Sequence, residues 1–264
     1  MSFYTIFNNF QYNPELEVID GYSIKDVEEI RNLIESYNVV ILKKVFDKRL
    51  IEKIRADVFN FMASTEENNP LIEHGVANYF RRDNNPEKSA VKRIKQFVAS
   101  FYWNKDISGE TVLMKAMSRL RNQIAGLPPE YTLNGIEPDG YMTYSNITHY
   151  PSGGGMLNKH QDPPNKQFTV IISSMSEKGK EFSQGGVYVE IAGKKINLDD
   201  ILEIGDVYLM NPQMIHGVDT IDPEYLGPQW DMIAGRWILF PALIEVKTLH
   251  GVKVEGLQDL ENVK

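Results

Sequence analysis

The chain contains no cysteine among its 264 residues. Disulfide bonds, iron–sulfur clusters and thiol catalysis are therefore excluded, and the composition fits a reducing compartment. An excess of positive charge is also missing, since the formal net charge is -8. The sequence thus offers no basic footprint for nucleic acid or for an anionic membrane surface. It also has no run of about 18 apolar residues that would cross a bilayer.

Residues 1–20 lack the charged start and apolar core of a signal peptide, because they are mixed aromatic, asparagine-rich and acidic. We therefore expect a cytoplasmic protein with no membrane or nucleic-acid partner. The length allows one domain over residues 1–264, since β-barrels and sandwiches often reach this size undivided. Within it the sequence separates into a helix-rich part, about 1–138, and a strand-rich core, about 139–246. No pattern indicates an oligomeric state.

The helix-rich part shows apolar residues at helical spacing behind good capping residues. The predicted helices are 24–36 behind Ser23, 48–62 behind Asp47, and a third one behind Ser108 that Gly126 closes. A β-branched strand is predicted between the first two helices, at 39–45. Residues 70–86 show no clear period and are expected to be irregular, and 90–103 stay ambiguous between helix and strand.

From about Gly140 onwards, short apolar stretches alternate with turns that are rich in glycine, proline and asparagine. The predicted strands are 141–150, 159–162, 168–174, 186–191, 206–210, 216–221 and 236–240. Strands of this length and spacing predict a sandwich or barrel of the jelly-roll kind. Helices that precede the strands give an α+β fold, in which the helices buttress one face of a sheet.

One short motif in the core suggests a metal site. His160 and Asp162 are two residues apart, which places both side chains on one face if the segment is a strand, with Gln161 pointing away. His216, from a later strand, would complete a set of two imidazoles and one carboxylate. Such a set suits Fe(II) and leaves three coordination positions open for chemistry. The alternative is chance, because Asp162 also begins a run of turn-forming residues.

The motif stands in an ordered series of segments. In chain order these are Tyr-Pro-Ser-Gly-Gly-Gly from Tyr150, the pair His160 and Asp162, Phe-Thr-Val-Ile-Ile-Ser-Ser from Phe168, Phe-Ser-Gln-Gly-Gly-Val-Tyr-Val from Phe182, Gly-Asp-Val-Tyr-Leu-Met-Asn-Pro from Gly205, then His216, and Gly-Arg-Trp-Ile-Leu-Phe from Gly235. Over roughly 140–245 this series resembles the double-stranded β-helix core, a jelly-roll or cupin-like barrel, of the Fe(II)/2-oxoglutarate-dependent oxygenases, in their prolyl-hydroxylase-like branch.

The resemblance implies roles for particular residues. His160, Asp162 and His216 would be the iron ligands. Arg236, at the start of the last core strand, would bind the distal carboxylate of 2-oxoglutarate through two parallel hydrogen bonds. Tyr150 would line the same pocket and donate from its phenol, or it would be an ordinary core aromatic.

Two further residues, Thr169 and Ser173, share one face of a predicted strand and are expected to line the co-substrate pocket. The sequence departs from the family pattern in two places. Arg236 follows His216 after an unusually long gap, which a loop at 222–234 would absorb. Ile238 stands where some branches carry a small hydroxyl residue.

The resemblance further implies an enzyme that uses Fe(II), 2-oxoglutarate and O2, hydroxylates an unactivated C–H bond and releases succinate and CO2. A compact chain without a recognition module favours a small-molecule substrate, such as an amino acid or a metabolite of a biosynthetic pathway. Two alternatives stay open: a peptidyl, prolyl-type hydroxylase, and a cupin-like isomerase or ligand-binding protein without oxygenase activity, because fold alone does not imply function. The loops 74–106 and 222–234 are expected at the barrel mouth, where substrate is chosen.

Overall fold

A computed structural model describes residues 3–5, 11–12, 24–84, 91–163 and 168–246 of the protein. Three α-helices lie in these ranges: α1 (Ile24–Glu35), α2 (Lys48–Ser64) and α3 (Glu110–Ile124). None of these described helices is long and apolar enough to cross a membrane.

The same ranges contain thirteen β-strands, and every pair of neighbouring strands is antiparallel. They are β1 (Phe3–Thr5), β2 (Gln11–Tyr12), β3 (Val40–Leu42), β4 (Tyr79–Asp83), β5 (Arg93–Ser100), β6 (Tyr141–Pro151), β7 (Met156–His160), β8 (Val170–Ser174), β9 (Gly186–Ile191), β10 (Lys194–Asn197), β11 (Val207–Met210), β12 (His216–Asp219) and β13 (Gly235–Glu245).

The core strands form two four-stranded layers, and the chain alternates between the layers except at β9 and β10, which are neighbours in one layer. The major layer has the order β6-β13-β8-β11, and the minor layer has the order β7-β12-β9-β10. This arrangement is a jelly roll, as predicted from the spacing of the strands. Strands from the first half of the chain enlarge the major layer: β3 and β1 continue it beyond β11, while β5 and β4 continue it beyond β6.

The helices cover the outer face of the major layer. On β13, Trp237 and Leu239 point outward into an apolar core that they share with Ile30 of α1, Ile54 of α2 and Met117 of α3. The alternate residues of β13 point into the barrel, as the two-residue period of a strand requires. The predicted α+β fold with helices against one sheet face is therefore confirmed, and this packing leaves the inner face free to carry a site.

Several local predictions need correction. Residues 79–83, expected to be irregular, form β4, whose Tyr79, Phe80 and Asp83 are all buried, so no polar/apolar alternation marks the strand. The ambiguous segment 90–103 contains the strand β5. Ser108 does not cap α3, because the N-cap position is Gly109 and the hydroxyl of Ser108 donates to Asp57 at 2.5 Å. Asp47 caps α2 as predicted, at 3.1 Å from the nitrogen of Leu50; Ser23 lies outside the described residues.

The loop at 222–234 lies elsewhere than expected. Its later part packs on the outer, helix-covered side of the sheet, where the carbonyl of Trp230 accepts from Gln96 at 3.3 Å. The carbonyl of Ile233 accepts from the indole of Trp237 at 2.8 Å. No residue of this loop lines the barrel cavity. The strands β4 and β5, which belong to the other expected loop region, do reach the inner face.

Candidate metal and co-substrate site

The three proposed metal ligands meet at the end of the minor layer. His160 is the last residue of β7 and His216 the first of β12, and the two are directly opposite each other in the strand register. Asp162 lies two residues beyond β7, so the prediction of one strand carrying both His160 and Asp162 is wrong in that detail. Its carboxylate oxygens nevertheless lie 3.5 Å from Nε2 of His160 and 3.7 Å from Nε2 of His216.

One ion can contact all three residues. Their ligand atoms lie within 4.8 Å of one another, and no other group of three histidines or carboxylates among the described residues is arranged in this way. Ligands of a single first-row metal ion are about 3 Å apart, since each bond is about 2.1 Å long. Small side-chain movements therefore suffice to complete the site.

Backbone carbonyls orient both imidazoles. Nδ1 of His160 is 2.8 Å from the carbonyl of Asn158, and Nδ1 of His216 is 2.9 Å from the carbonyl of Met214. Each Nδ1–H donates to its carbonyl, which leaves the lone pair of Nε2 directed at the cluster, as in known metal sites.

The electrostatics give both kinds of ligand the protonation state that a metal requires. Burial, followed by the neighbouring His160, lowers the pKa of His216 to about 4. For Asp162, burial works to raise the pKa, but the two imidazoles outweigh it and the net shift is downward. At neutral pH the cluster therefore offers a neutral His216 and an ionised carboxylate.

Two glutamines hold the Asp162 segment in place. The side chain of Gln213 donates to the carbonyl of Asp162 at 2.5 Å, and the side chain of Gln161 donates to the carbonyl of Gln213 at 2.6 Å. The N–H of Asp162 also donates to the carbonyl of Pro212 at 2.9 Å. We call these contacts the glutamine clamp. It joins the segment that carries Asp162 to the segment that leads into His216.

A cavity of about 250 Å³ opens beside the cluster, and Arg236 and Tyr150 line it together with the three ligands. Arg236 is 1% exposed, and its Nε donates to Oδ2 of Asp199 at 2.6 Å. Neither terminal nitrogen, Nη1 or Nη2, has a hydrogen-bond partner among the described residues. Buried guanidinium donors without an acceptor are costly and uncommon, so this edge of Arg236 is suited to a ligand carboxylate.

Two tyrosines stand beside Arg236 in the cavity. The ring centre of Tyr150 lies 5.9 Å from the guanidinium carbon. Burial raises the pKa of both Tyr150 and Tyr208, with Arg236 opposing this to a smaller extent. Both phenols therefore stay protonated and can donate hydrogen bonds to an anion in the cavity.

No protein-family model and no curated protein sequence matches the chain. Among solved structures, the α-ketoglutarate-dependent epimerase SnoN from nogalamycin biosynthesis, in complex with Fe3+, α-ketoglutarate and nogalamycin RO, has a TM-score of 0.54 at 9% identity, over 90% of this chain and 95% of that chain. A prolyl hydroxylase from Trichoplax adhaerens, in complex with a hypoxia-inducible-factor peptide, has a TM-score of 0.52 at 13% identity, over 88% and 94%. A Pseudomonas putida prolyl-4-hydroxylase has 0.50 at 14%, over 81% and 95%.

The chain has the double-stranded β-helix fold of the Fe(II)/2-oxoglutarate oxygenases. At these identities the likeness is one of fold. Within the oxygenase fold, the structure places His160, Asp162, His216, Arg236 and Tyr150 around one cavity.

Thr169 and Ser173 do not join that cavity, contrary to expectation. The hydroxyl of Thr169 donates to the carbonyl of Met210 at 3.0 Å, and Ile171, between the two, packs in the helix-covered core. The cavity is lined instead by Val170 and Ile172. Both faces of β8 are buried, so its sequence lacks the polar/apolar alternation that would have shown which face points into the cavity.

Sequence reasoning missed Asp199, Tyr208 and Lys95. Asp199 belongs to a 3-10 turn, Leu198–Asp200, and an Asp-Asp pair in such a place looks like a solvated turn. Tyr208 and Lys95 line the cavity from β11 and β5. For Tyr208 a signal existed, because it alternates with the outward Val207 and Leu209 on a strand that had been predicted. Lys95 lay in the ambiguous segment, where no face could be assigned.

Proposed function

We propose that the protein is an Fe(II)- and 2-oxoglutarate-dependent dioxygenase that hydroxylates an unactivated C–H bond of a small molecule and releases succinate and CO2. The observation that carries the proposal is the pair of unpartnered, buried nitrogens of Arg236, which face the same cavity as the cluster of His160, Asp162 and His216. Three ligands for a metal ion would, by themselves, fit many reactions. Together with a buried guanidinium that has two free nitrogens, they fit a co-substrate that chelates the metal at one end and carries a carboxylate at the other.

The residues fit the iron and the co-substrate. Two imidazoles and one carboxylate, with no thiolate in the chain, form a ligand set that suits Fe(II) and leaves positions open. Arg236 would bind the distal carboxylate of 2-oxoglutarate, and the phenols of Tyr150 and Tyr208 stand close enough to contribute. When bound, iron and 2-oxoglutarate supply the activation of O2 and the oxidising power.

The protein's own part is positioning and exclusion of water. Apolar side chains make up much of the cavity wall; among them are Leu157, Val170, Ile172, Val218 and Ile238. In such a wall the field of Arg236 is screened less than in water, which strengthens its attraction for a carboxylate. The same wall would hold the target C–H bond near the iron and keep water away from it.

The size of the cavity, about 250 Å³, supports a small substrate such as an amino acid or a metabolite. A peptidyl, prolyl-type hydroxylase is the alternative. An isomerase or binding protein on the same fold is the further alternative.

An anaerobic titration with Fe(II) and 2-oxoglutarate tests the proposal, because the iron chelate of 2-oxoglutarate absorbs weakly in the visible region. We expect the band in the wild type and its loss in His160→Ala and in Asp162→Ala. His74→Ala is the matched control, because His74 packs on Trp103 away from the cavity, at 5.1 Å between ring centres. No band in the wild type, or an unchanged band in both ligand variants, would overturn the proposed site.

Turnover separates the alternatives. Succinate formation above the uncoupled background, measured over a panel of metabolites and proline-containing peptides, should be raised by a small molecule. Stimulation by peptides alone would indicate the peptidyl hydroxylase. Binding of Fe(II) and 2-oxoglutarate with no succinate under any condition would indicate a protein without oxygenase activity.

A further inference from the structure

A second group of cations faces the cavity from the strand β5. Arg93 and Lys95 line it together with the metal cluster, and Arg81 on the neighbouring strand β4 lies one register position further along the same face. Asp83 is the carboxylate that these strands place among them. The inner face of the sheet therefore carries three cations and one carboxylate here, apart from Asp162 of the metal cluster.

Arg81 and Arg93 both form ion pairs with Asp83. Nε of Arg81 is 2.9 Å from Oδ1 of Asp83, and Nε of Arg93 is 2.9 Å from Oδ2. Lys95 is opposite Asp83 in the strand register, but each oxygen of Asp83 already lies at ion-pair distance from an arginine. The contact of Arg81 is a hydrogen bond, whereas that of Arg93 is an ion pair without hydrogen-bond geometry. Of these three cations, Lys95 is therefore the one that has no ion pair with Asp83.

Within the described residues, no carboxylate lies at ion-pair distance from the ammonium of Lys95, and its nearest recorded contact is the ring of Phe97, with 5.5 Å from Nζ to the ring centre. Lys95 is only partly exposed. Burial, with Arg93 as the next cause, lowers the pKa of Lys95 to about 8, and the carboxylates of Asp83 and Asp162 offset this only in part. A partly desolvated ammonium without a carboxylate at ion-pair distance gains when a ligand brings a negative charge close to it.

Lys95 and Arg236 form two separate places for anions. Tyr150 pairs with Arg236 across β6 and β13, and Lys95 directly precedes Gln96, whose partner His149 directly precedes Tyr150. Tyr150 thus stands between the two cations on the inner face. Neighbouring strands are about 4.8 Å apart, which puts the backbones of Lys95 and Arg236 about 10 Å from each other. A co-substrate held by Arg236 would leave Lys95 free.

We propose that Lys95, with Arg93 beside it, binds a carboxylate of the substrate that is to be oxidised, so that the substrate is a small organic acid. The assignment rests on the proposed function, since it presumes that 2-oxoglutarate occupies Arg236. A carboxylate matches the donors better than a phosphate group does. One ammonium and one guanidinium that already shares Asp83 are enough to bind a single negative charge.

The test uses Mn(II) in place of iron and fluorinated probes, because paramagnetic Mn(II) accelerates the ¹⁹F relaxation of molecules bound near it. The probes are 4-fluorobenzoate and 4-fluorophenylacetate, each compared with its primary amide, in the presence of saturating 2-oxoglutarate. We expect the carboxylates to relax faster than the amides. Lys95→Met should weaken carboxylate binding about 10- to 100-fold, as expected for loss of a charged hydrogen-bond partner, and Lys95→Gln should weaken it to a similar extent.

Lys194→Met is the matched control, since Lys194 is exposed on β10 and away from the cavity. Retained binding of Mn(II) and 2-oxoglutarate, followed by water-proton relaxation, shows that the Lys95 variants are folded. Equal relaxation of acids and amides, or unchanged binding in Lys95→Met, would overturn the assignment. So would acids that bind only in a parallel sample without 2-oxoglutarate, because they would then occupy Arg236. Failure of the wild type to bind Mn(II), measured by its EPR signal before any probe is added, would overturn the proposed function and the assignment together.

Discussion

Oδ2 of Asp199 accepts both the Nε–H of Arg236 and the backbone N–H of Val187, each at 2.6 Å. Both side chains of this ion pair are almost fully buried, at 1% and 3% exposure. The carboxylate thereby fixes one edge of the guanidinium and turns the other edge, with Nη1 and Nη2, toward the cavity. One arginine can hold a structural carboxylate and a ligand carboxylate at once because its five donors form a planar fork.

Arg236→Met should weaken binding of 2-oxoglutarate by about 100-fold, because the variant loses a bidentate charged contact. It should also lower the free energy of unfolding by about 3–5 kcal/mol, since Asp199 is left buried and unpaired. The double variant Arg236→Met with Asp199→Leu should recover much of the stability but none of the affinity. Titration of the visible band and urea unfolding measure the two effects; wild-type affinity in the single variant would place the carboxylate anchor elsewhere.

Gly186→Ala should disturb the ion pair of Arg236 and Asp199 through a change in the neighbouring backbone. Gly186 has φ of +115°, and an added Cβ would lie 2.5 Å from Oδ2 of Asp199. We expect a loss of about 1–3 kcal/mol from backbone strain, and weaker 2-oxoglutarate binding because Asp199 must move and release Arg236. Gly193→Ala is the control, since it has φ of +75° with nothing within 4 Å of the added carbon. Equal 2-oxoglutarate affinity in the two variants would refute the coupling.

Gln213→Ala should loosen the metal site without removing a ligand. The side chain holds the Asp162 segment through the glutamine clamp, and loss of such supporting contacts typically lowers metal affinity by about 10- to 100-fold. Gln229→Ala is the control, because its side chain makes only a local bond to the carbonyl of Gly227, at 2.7 Å. Competition for Fe(II) against a chelator gives the affinities, and indistinguishable values for the two variants would show that the clamp is not needed.

His149 should make the protein less stable in acid. Its ring stacks on Trp237 at 4.2 Å, with Nε2 at 2.9 Å from the carbonyl of Ala234. Burial lowers the pKa of His149 to about 3 from an ordinary 6.5. The unfolded chain therefore binds the extra proton between these values, so the stability contributed by the neutral ring is complete above pH 6.5 and is lost as the pH falls toward 3.

His149→Phe, which cannot titrate, should have a shallower pH dependence. The free energy of unfolding, measured in urea between pH 6 and pH 4.5, should fall by about 1.4 kcal/mol per pH unit more in the wild type than in the variant. The difference between the two proteins isolates His149 from other acids and bases that titrate in the same range. Parallel pH profiles would show that the ring is not buried in its neutral form.

The sequence contained enough information for the fold and for the outline of the site. The positions of the core strands along the chain follow from local patterns, and the motifs that contain His160, Asp162, His216 and Arg236 are local too. The sequence did not show which distant side chains the folded sheet would bring into contact. Asp199 reaches Arg236 across 37 residues, and only the folded sheet brings the two together. The face of β8 was misassigned because both its faces are buried, and Lys95 was missed because its strand lacks a polar/apolar alternation.

The direct register between His160 and His216 also has a consequence for how the protein acquires its metal. The two imidazoles become neighbours only when β7 pairs with β12, and the glutamine clamp forms across the same junction. A chain that has built its helices and the major layer but has not closed the minor layer can offer one imidazole at most from this pair. Metal affinity should therefore arise late in refolding, as a signal that the barrel has closed, and bound metal should oppose the reopening of that junction in proportion to its concentration above Kd.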